Sequence, residues 1–506
     1  MPGTESAVVK GDDAATGNHV ISLKERAQKA VLWTVGFNLF RDGLQFATML
    51  VLVRLLEPSA YGMFALATSI VSFVAVLSHN NFLAHSLQPR TDAEVDYQLH
   101  FSAGLFFQSL AFLVANAVAL VLWHFDGYAS VAPLLSVLSL TFFLEWPGEL
   151  RRKMLERALD WRRLRMLHAL GLLFAALLSV GLAAMGAGVY ALIVPAPLTV
   201  VPFVIELFLT GWRPNFRWSW AAYRPSFRFG LLRSGSGFIA TARPLAENAV
   251  LVATAGFALT GIYTRALGLA TILVGKMASQ LLFAIYPVLT KLEKGSMRGA
   301  QVARLLVRLV AGLMAPVAVV LIVLAEPVVA LLYGERWLEV ARFLPWIALI
   351  VFLGALNRTL NMLLLSNDRA DLCMVTDTIT FALTFCSLSL LVYVDVMAYL
   401  ASLSAALVIV FIILIGMAAR VVRVVARDLL LEVAGPVGLC AAVAALAVWL
   451  TGHVLAGGAA AFLILFALGY GIAFRLVLPS KLQELFAVVP GGAGLHRLFW
   501  LAKAKG

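Results

Sequence analysis

Residues 31–67 read VLWTVGFNLFRDGLQFATMLVLVRLLEPSAYGMFALA, and this stretch decides the fold. Its first part, 31–53, is a mostly apolar run whose only charged residues are Arg41 and Asp42. A helix of this length rises about 35 Å, which is enough to cross the roughly 30 Å hydrocarbon core of a bilayer. After a short polar join the chain becomes apolar again from Gly62 onward. The stretch therefore predicts two successive transmembrane helices.

The same pattern recurs almost to the end of the chain. Apolar residues make up 62% of the sequence and charged residues 13%, against about half and about a quarter in soluble domains. Barrel strands would alternate polar and apolar residues, whereas these runs are continuously apolar. We expect an all-α polytopic membrane protein with about 14 transmembrane helices. The predicted spans are 31–53, 62–86, 100–124, 129–148, 164–186, 189–211, 228–253, 265–289, 302–326, 341–365, 371–393, 396–418, 432–451 and 455–478.

The distribution of positive charge predicts the orientation of these helices. The formal net charge is +12, but no water-facing domain is visible that could present a basic patch to nucleic acid. With the amino terminus in the cytoplasm, most of the 39 Lys and Arg residues fall in inner loops, including a loop around 151–165. Both termini are therefore expected to be cytoplasmic. Outer loops keep only Arg54, Arg336 and Arg342.

A short repeat suggests two halves. Val51-Leu52-Val53 precedes Gly62 by nine residues, and Val250-Leu251-Val252 precedes Gly261 by the same distance. This aligns the first helix with the seventh, and an even helix offset predicts a parallel repeat with a crevice for substrate between the lobes. The expected organisation is a disordered cytoplasmic tail at 1–22, an N-lobe of helices 1–6 at 23–211, a C-lobe of helices 7–12 at 212–418, helices 13–14 at 419–478 and a cytoplasmic tail at 479–506.

Ionisable side chains within the predicted spans are candidates for the substrate path. Such groups cost at least about 2.5–3.5 kcal/mol at membrane depth, so they usually face a wet cavity or a partner. Cations predominate among them, and Arg suits phosphate or pyrophosphate geometrically. An organic cation would be repelled. The candidate residues are Arg41, Asp42, Arg243, Glu247, Lys276 and Arg358.

Some of these charges also have structural interpretations. Arg243 and Glu247 are four residues apart, so an ion pair that locks a helix kinked at Pro244 is an alternative. Arg41 and Asp42 are adjacent and point about 100° apart, so we expect that at least one of them finds a partner elsewhere. Three further arginines near span ends are expected to snorkel to the headgroups. They are Arg233, Arg265 and Arg308.

No catalytic or metal-binding motif is present in the sequence. We find no HExxH, Gly-x-Ser-x-Gly or Walker A pattern. Cys373, Cys386 and Cys440 lie in apolar segments without metal-ligand spacing, so we expect small core residues. The sequence therefore predicts a protein that is not an enzyme, with no catalytic residues, no metal and no cofactor.

The opening stretch also resembles a known family. Residues 51–67, VLVRLLEPSAYGMFALA, are similar to the segment aRLLgPxxyG-aromatic-alA of the polysaccharide transporter family of Wzx-type flippases. Glu247-Asn248, Gly261-Ile262-Tyr263 and Tyr286-Pro287 followed by Leu289 resemble its second-lobe motifs. Glu57 replaces a more usual Gly, and Asn248 replaces a common acid, which leaves the driving ion open. Asn248 joins the candidate path residues on this basis.

The resemblance implies a fold and a function. The fold would be that of the multidrug/oligosaccharidyl-lipid/polysaccharide exporter superfamily, with two six-helix lobes plus two C-terminal helices around a central cavity. The function would be movement of undecaprenyl-pyrophosphate-linked oligosaccharide repeat units across the bacterial cytoplasmic (inner) membrane, for exopolysaccharide, capsule or O-antigen assembly. Partners would be this substrate, membrane lipids and polysaccharide polymerase or export machinery, and no nucleic acid.

Three alternatives stay open on sequence grounds. A multidrug exporter of the same superfamily would need acidic and aromatic groups in its cavity. A membrane glycosyl polymerase or ligase would need a sizeable polar outer loop, and the longest, around 327–340, is modest. A scaffold of a synthesis complex would use the basic loop around 151–165 as its docking surface.

Overall fold

The computed structural model describes residues 36–78, 80–83, 95–290, 296–451 and 458–477. Within these ranges the chain is helical and contains no strand, which confirms the prediction of an all-α protein. The predicted tails at 1–22 and 479–506 lie outside the described residues.

The helices follow one another with short connections. In chain order they are α1 (36–55), α2 (Pro58–Val74), α3 (Asn80–Leu83), α4 (Tyr97–Trp123), α5 (Val131–Ser139), α6 (Thr141–Arg157), α7 (Trp161–Ala184), α8 (Tyr190–Ile193), α9 (Val201–Leu209), α10 (Trp220–Ala270), α11 (Lys276–Leu289), α12 (Met297–Val323), α13 (Ala325–Leu332), α14 (Val340–Ser366), α15 (Ala370–Tyr393), α16 (Val396–Val422), α17 (Ala426–Thr451) and α18 (Gly458–Val477). Short 3₁₀ turns occur at Ala75–Leu77, Pro197–Val200 and Glu335–Trp337, and a π-helix at Thr271–Gly275.

The first two helices show how the sequence places a helix boundary. Glu57 has an extended backbone with φ −85° and ψ 155°, and Pro58 occupies the first turn of α2. Proline is well tolerated there because that position has no intrahelical N–H partner to lose. The polar join in the opening stretch therefore ends one helix and starts the next.

The helices are long and apolar enough for a multi-pass membrane protein. Eleven helices within the described ranges meet this description, and α18 is a shorter apolar helix. Each predicted span coincides over most of its length with helical residues. The predicted seventh span lies within α10, and the predicted eighth span runs from the end of α10 through the π-helix into α11. α10 breaks at Gly256 with φ 78°, a conformation that favours glycine. The count of 14 crossings stays a prediction.

Contacts among the described residues divide the chain into two compact units. Unit 1 ends at Ala249 and unit 2 begins at Val250. The division falls inside α10, whereas the sequence-based lobe boundaries at 211/212 and 418/419 stay predictions.

Small residues allow the helices of unit 1 to approach closely. Gly171, Ala175, Ser179 and Ala183 recur every fourth residue of α7, and all four are buried. Such stripes replace the hydrophobic driving force that is missing between helices in lipid. The Ser179 hydroxyl donates a 2.6 Å hydrogen bond to the carbonyl oxygen of Ala191, which fixes α8 against this face.

Replacing Gly171 by alanine is expected to destabilise the protein by about 1–3 kcal/mol, the usual cost of overpacking. A Cβ atom at this position would lie 1.9 Å from the carbonyl oxygen of Thr199, which is backbone and cannot rotate away. The matched control is Gly181→Ala on the same helix, where a Cβ meets nothing within 4 Å. The thermal unfolding midpoint of the purified variants in detergent measures both effects. Equal midpoints for the two variants would contradict this packing.

The prediction of a basic loop around 151–165 is wrong, because most of these residues are helical. α6 continues to Arg157 and α7 starts at Trp161. Leu159 takes the left-handed conformation with φ 56°, and the Asp160 carboxylate accepts a 3.1 Å hydrogen bond from the backbone N–H of Arg163. This N-cap restarts the helix within three residues. The docking surface of the scaffold alternative is therefore mostly helical.

Candidate functional site

Three basic side chains of unit 1 gather around one aromatic ring. The Arg41 guanidinium carbon lies 6.0 Å from the centroid of the Phe37 ring, and the Arg165 guanidinium carbon lies 5.2 Å from it. The His168 ring packs against the same ring at a tilt of 32°, with 4.8 Å between centroids. These distances are within the range of cation–π attraction. We call Phe37, Arg41, Arg165 and His168 the Phe37 cluster; it joins α1 to α7.

Only one of the two arginines in the Phe37 cluster has a counterion. A nitrogen of Arg41 lies 3.0 Å from the Asp42 carboxylate, so these neighbours pair although their positions point about 100° apart, and Arg41 also contacts Phe37. The long arginine side chain bends far enough to offset the angle between the two helix positions. Arg165 makes no ion pair or hydrogen bond within the described ranges, and its Nε atom is buried. Its planar group rests on Phe37 and, at 5.8 Å, on the Trp161 ring.

The acidic residues of α6 neutralise other cations near the Phe37 cluster. The Glu149 carboxylate lies 2.6 Å from Arg152, and Glu156 lies 2.7 Å from Lys153. Glu145, one turn before Glu149, is half-buried and has no ion pair with any residue that the structure describes. Glu145 was missed although it lies within the predicted span 129–148, and Glu149 follows that span directly. The spacing of four residues between these two carboxylates on one helix face was the available signal.

A buried three-way ion pair fixes the end of α6. The Glu206 carboxylate of α9 accepts two hydrogen bonds from Arg151, at 2.6 and 2.9 Å, and also contacts Arg163 of α7. Glu206 and Arg151 are both largely buried. The bidentate geometry joins three helices, so two of the cations assigned to a loop are structural.

The α10 candidates lie in unit 1 and do not form the expected pair. Glu247 is buried and Arg243 is half-buried, and the structure, where it is described, shows no ion pair between them. The Asn248 amide donates a 3.4 Å hydrogen bond to the carbonyl oxygen of Ala65 on α2. Asn248 therefore connects two helices, and Arg243 forms no ion pair with a carboxylate among the described residues.

Unit 2 contains the other two predicted path residues, Lys276 and Arg358. Lys276 follows the π-helix Thr271–Gly275 directly, and such bulges occur frequently at functional sites. A Cβ on Gly275 would lie 3.4 Å from the Val351 side chain of α14. Val351 and Arg358 are seven residues apart on α14, so this contact places Lys276 about two helical turns from Arg358.

Arg358 is an exposed cation on a helix that is otherwise largely enclosed. Its neighbours Asn357 and Thr359 are buried, while its guanidinium has no ion pair or hydrogen bond with the part of the chain that the structure describes. One turn further, Asn361 accepts a 3.0 Å hydrogen bond from the Thr376 hydroxyl of α15. The next residue, Asp377, is exposed. It is a carboxylate within the predicted span 371–393 that was not among the predicted path residues.

The arginines expected to snorkel have different outcomes. Arg308 of α12 pairs with Glu432 of α17, and one turn earlier Arg304 pairs with Asp428, so Arg308 is neutralised inside unit 2. Snorkelling is therefore wrong for Arg308. Arg265 is half-buried, and its carbonyl oxygen accepts a 3.3 Å hydrogen bond from the Tyr333 hydroxyl. The side chain of Arg233 lies outside the described set.

Comparison with known proteins adds a family match. The model of a family described as "Polysaccharide biosynthesis protein" matches residues 51–342. The chain is 22% identical to the lipopolysaccharide biosynthesis protein WzxC of Escherichia coli (strain K12), over 70% of this chain and 72% of WzxC. It is 24% identical to the succinoglycan biosynthesis transport protein ExoT of Rhizobium meliloti (strain 1021), over 60% of this chain and 62% of ExoT.

A solved structure shares the fold. The lipid II flippase MurJ, in an inward closed conformation, superimposes with a TM-score of 0.66 and 10% sequence identity. The match covers 89% of this chain and all of that one. At this identity the similarity shows that the architecture is shared.

Proposed function

The chain belongs to the family of polysaccharide biosynthesis proteins, and on this premise we propose that it flips lipid-linked oligosaccharides across a membrane. The cargo in this proposal is an undecaprenyl-pyrophosphate-linked repeat unit for exopolysaccharide, capsule or O-antigen assembly. It moves from the cytoplasmic to the periplasmic leaflet of the bacterial inner membrane, with both termini of the protein in the cytoplasm. The names of WzxC and ExoT and the fold shared with MurJ support a transporter rather than an enzyme.

The observation that carries this proposal is two arginines that form no ion pair within the described residues. Arg165 in unit 1 and Arg358 in unit 2 lie in helices long enough to span a membrane, and neither has a carboxylate partner among the residues described. Arg358 lies well inside α14, where an uncompensated charge costs at least about 2.5 kcal/mol, and Arg165 lies in the second turn of α7 with its Nε atom buried. A diphosphate offers the planar, bidentate acceptor that guanidinium groups bind best.

The path residues have distinct roles in this proposal. Arg165 and Arg41 of the Phe37 cluster contact the diphosphate, and Arg243, Lys276 and Arg358 contact diphosphate or acidic sugars on a cationic path. Asp42 holds Arg41 at 3.0 Å, and Glu247 and Asn248 position α10. Alternating access exposes this path to one side of the membrane at a time. Polysaccharide polymerase or export machinery would receive the cargo.

A multidrug exporter is the second candidate function, and two carboxylates favour it. Glu145 of α6 and Asp377 of α15 have no ion pair with any described residue, and a cavity for organic cations needs such groups. The two functions separate in whole cells. A flippase affects polysaccharide output without changing the retention of a cationic dye, whereas a drug exporter does the reverse.

Neutralising the path tests the proposed function. We expect a variant with Arg41, Arg243, Lys276 and Arg358 replaced by glutamine to lose most polysaccharide export, because each site loses a charge-assisted contact of about 1.5–3 kcal/mol. The measurement is cell-surface polysaccharide at matched membrane abundance of the protein. Arg336→Gln, an exposed arginine outside the path, is the control. Unchanged export by the variant with all four substitutions would contradict the proposal of a cationic path.

A further inference from the structure

A long part of unit 1 carries positive charge without any compensating acid. Residues 207–246 contain no Asp or Glu, although they contain six arginines. Part of this segment lies between two membrane spans, because α9 ends at Leu209 and the next apolar span begins at Ala240. A linker between two spans lies at the membrane surface. The arginines are Arg213, Arg217, Arg224, Arg228, Arg233 and Arg243.

The backbone of this linker is held in place by α4. The Gln98 side chain donates to the carbonyl oxygen of Arg213 at 2.9 Å and accepts from the N–H of Asn215 at 2.6 Å. The N–H of Arg217 donates to the Ser102 hydroxyl at 3.0 Å. Hydrogen bonds from a helix to an exposed linker fix its conformation, so the side chains project from an ordered surface.

Aromatic packing fixes the start of α10 in the same way. Tyr223 is fully buried, and Phe227 stacks on Phe82 with 5.6 Å between ring centroids. Two tryptophans extend from this cluster toward the outside. Trp218 is 56% and Trp220 is 50% exposed, and their rings stack at 6.4 Å. The exposed rings therefore sit on a rigid base.

The arginines of the same surface are exposed and free to bind anions. Arg213, Arg217, Arg224 and Arg228 are all exposed, and none forms an ion pair with a residue in the described ranges. Arg224 and Arg228 are four residues apart and share one helix face with Trp220. The positive end of the helix dipole adds to the same field.

We propose that this surface, residues 212–228, binds the headgroups of anionic phospholipids. We call it the Arg/Trp surface. Tryptophan favours the membrane interface, where its ring is apolar and its N–H is hydrated. Arginine binds lipid phosphate through paired N–H donors. An acidic protein would match the charge equally well, but the position between two spans places these side chains at headgroup level. The proposal does not depend on the transported cargo.

Native mass spectrometry of the purified full-length protein tests this surface. The protein is offered equal amounts of phosphatidylglycerol and phosphatidylcholine in detergent, and the retained lipids are counted. The test variant is Arg213→Gln/Arg217→Gln/Arg224→Gln. The control is Arg420→Gln/Arg423→Gln/Arg427→Gln, which removes the same number of exposed arginines elsewhere. Thermal midpoints show that both variants are folded.

The expected result is a preference for phosphatidylglycerol that the control keeps and the test variant loses. Each arginine at an anionic surface contributes about fivefold in affinity, so the apparent affinity should fall by at least about tenfold. Trp218→Leu/Trp220→Leu should weaken retention while leaving the charge intact. Equal loss in control and test variants would reduce the effect to total charge and overturn the proposal. Unchanged lipid retention by the test variant would also overturn it, and would leave the surface to an acidic protein partner.

Discussion

Arg165→Gln is expected to lower the transport of lipid-linked oligosaccharide at least about tenfold, since a charge-assisted contact contributes about 1.5–3 kcal/mol. Arg165 is the arginine of the Phe37 cluster that forms no ion pair among the described residues, and its Nε atom is buried with no acceptor there. A bound diphosphate would supply both a negative charge for the guanidinium group and a hydrogen-bond acceptor for Nε. The measurement is the rate of export at equal abundance of folded protein.

Two further variants separate binding by Arg165 from a structural role. Arg165→Lys keeps the charge but loses the planar group that rests on Phe37 and Trp161, so we expect partial transport. Arg420→Gln, exposed in the last turn of α16, should transport normally. If Arg165→Gln lowered the thermal midpoint and the protein level while transport per folded molecule stayed normal, Arg165 would be structural and not a cargo contact.

Glu206→Ala is expected to cost about 3–5 kcal/mol of stability, the usual result of removing one partner from a buried ion pair. The substitution removes the acceptor that Arg151 contacts at 2.6 and 2.9 Å, and no other acceptor for it is present among the residues described. It also releases Arg163, so α6, α7 and α9 lose their common contact. The readouts are the thermal midpoint and the monodisperse fraction in detergent.

Glu156→Gln is the matched control for Glu206→Ala. Glu156 pairs with Lys153 at 2.7 Å, but its side chain is more exposed, so its removal should cost no more than about 1 kcal/mol. An equal loss of stability in the two variants would show that burial does not distinguish them. A wild-type midpoint for Glu206→Ala would contradict the role of this ion pair directly.

Hydropathy predicted the helices well, because partition into lipid depends on the summed composition of about twenty residues. The spans at 396–418 and 371–393 lie inside α16 and α15 for this reason. The predicted end at residue 148 was wrong for α6. The charged residues after it lower the hydropathy but continue the helix to Arg157, and the N-cap at Asp160 starts the next helix. Local chemistry therefore set the boundaries that composition could not.

The candidate site was less predictable from sequence. A charged residue deep within a predicted span can be recognised from sequence as energetically costly. The residue that pairs with it can be far away in sequence, as Glu432 is from Arg308. Arg165 was assigned to a loop, although it shares the Phe37 ring with Arg41. The positions of these side chains depend on tertiary packing, and a single sequence contains no direct record of that packing.

The central claim is that this chain moves a lipid-linked oligosaccharide from one leaflet to the other. The most direct measurement uses vesicles that contain the purified protein and a labelled undecaprenyl-diphosphate oligosaccharide in both leaflets. A membrane-impermeant reagent that destroys the label then reports which molecules reach the outer surface. We predict that nearly all of the label is lost in vesicles with the protein, whereas in protein-free vesicles, and more slowly with Arg165→Gln, the inner-leaflet fraction persists. Persistence of that fraction in the presence of the folded wild-type protein would contradict the claim.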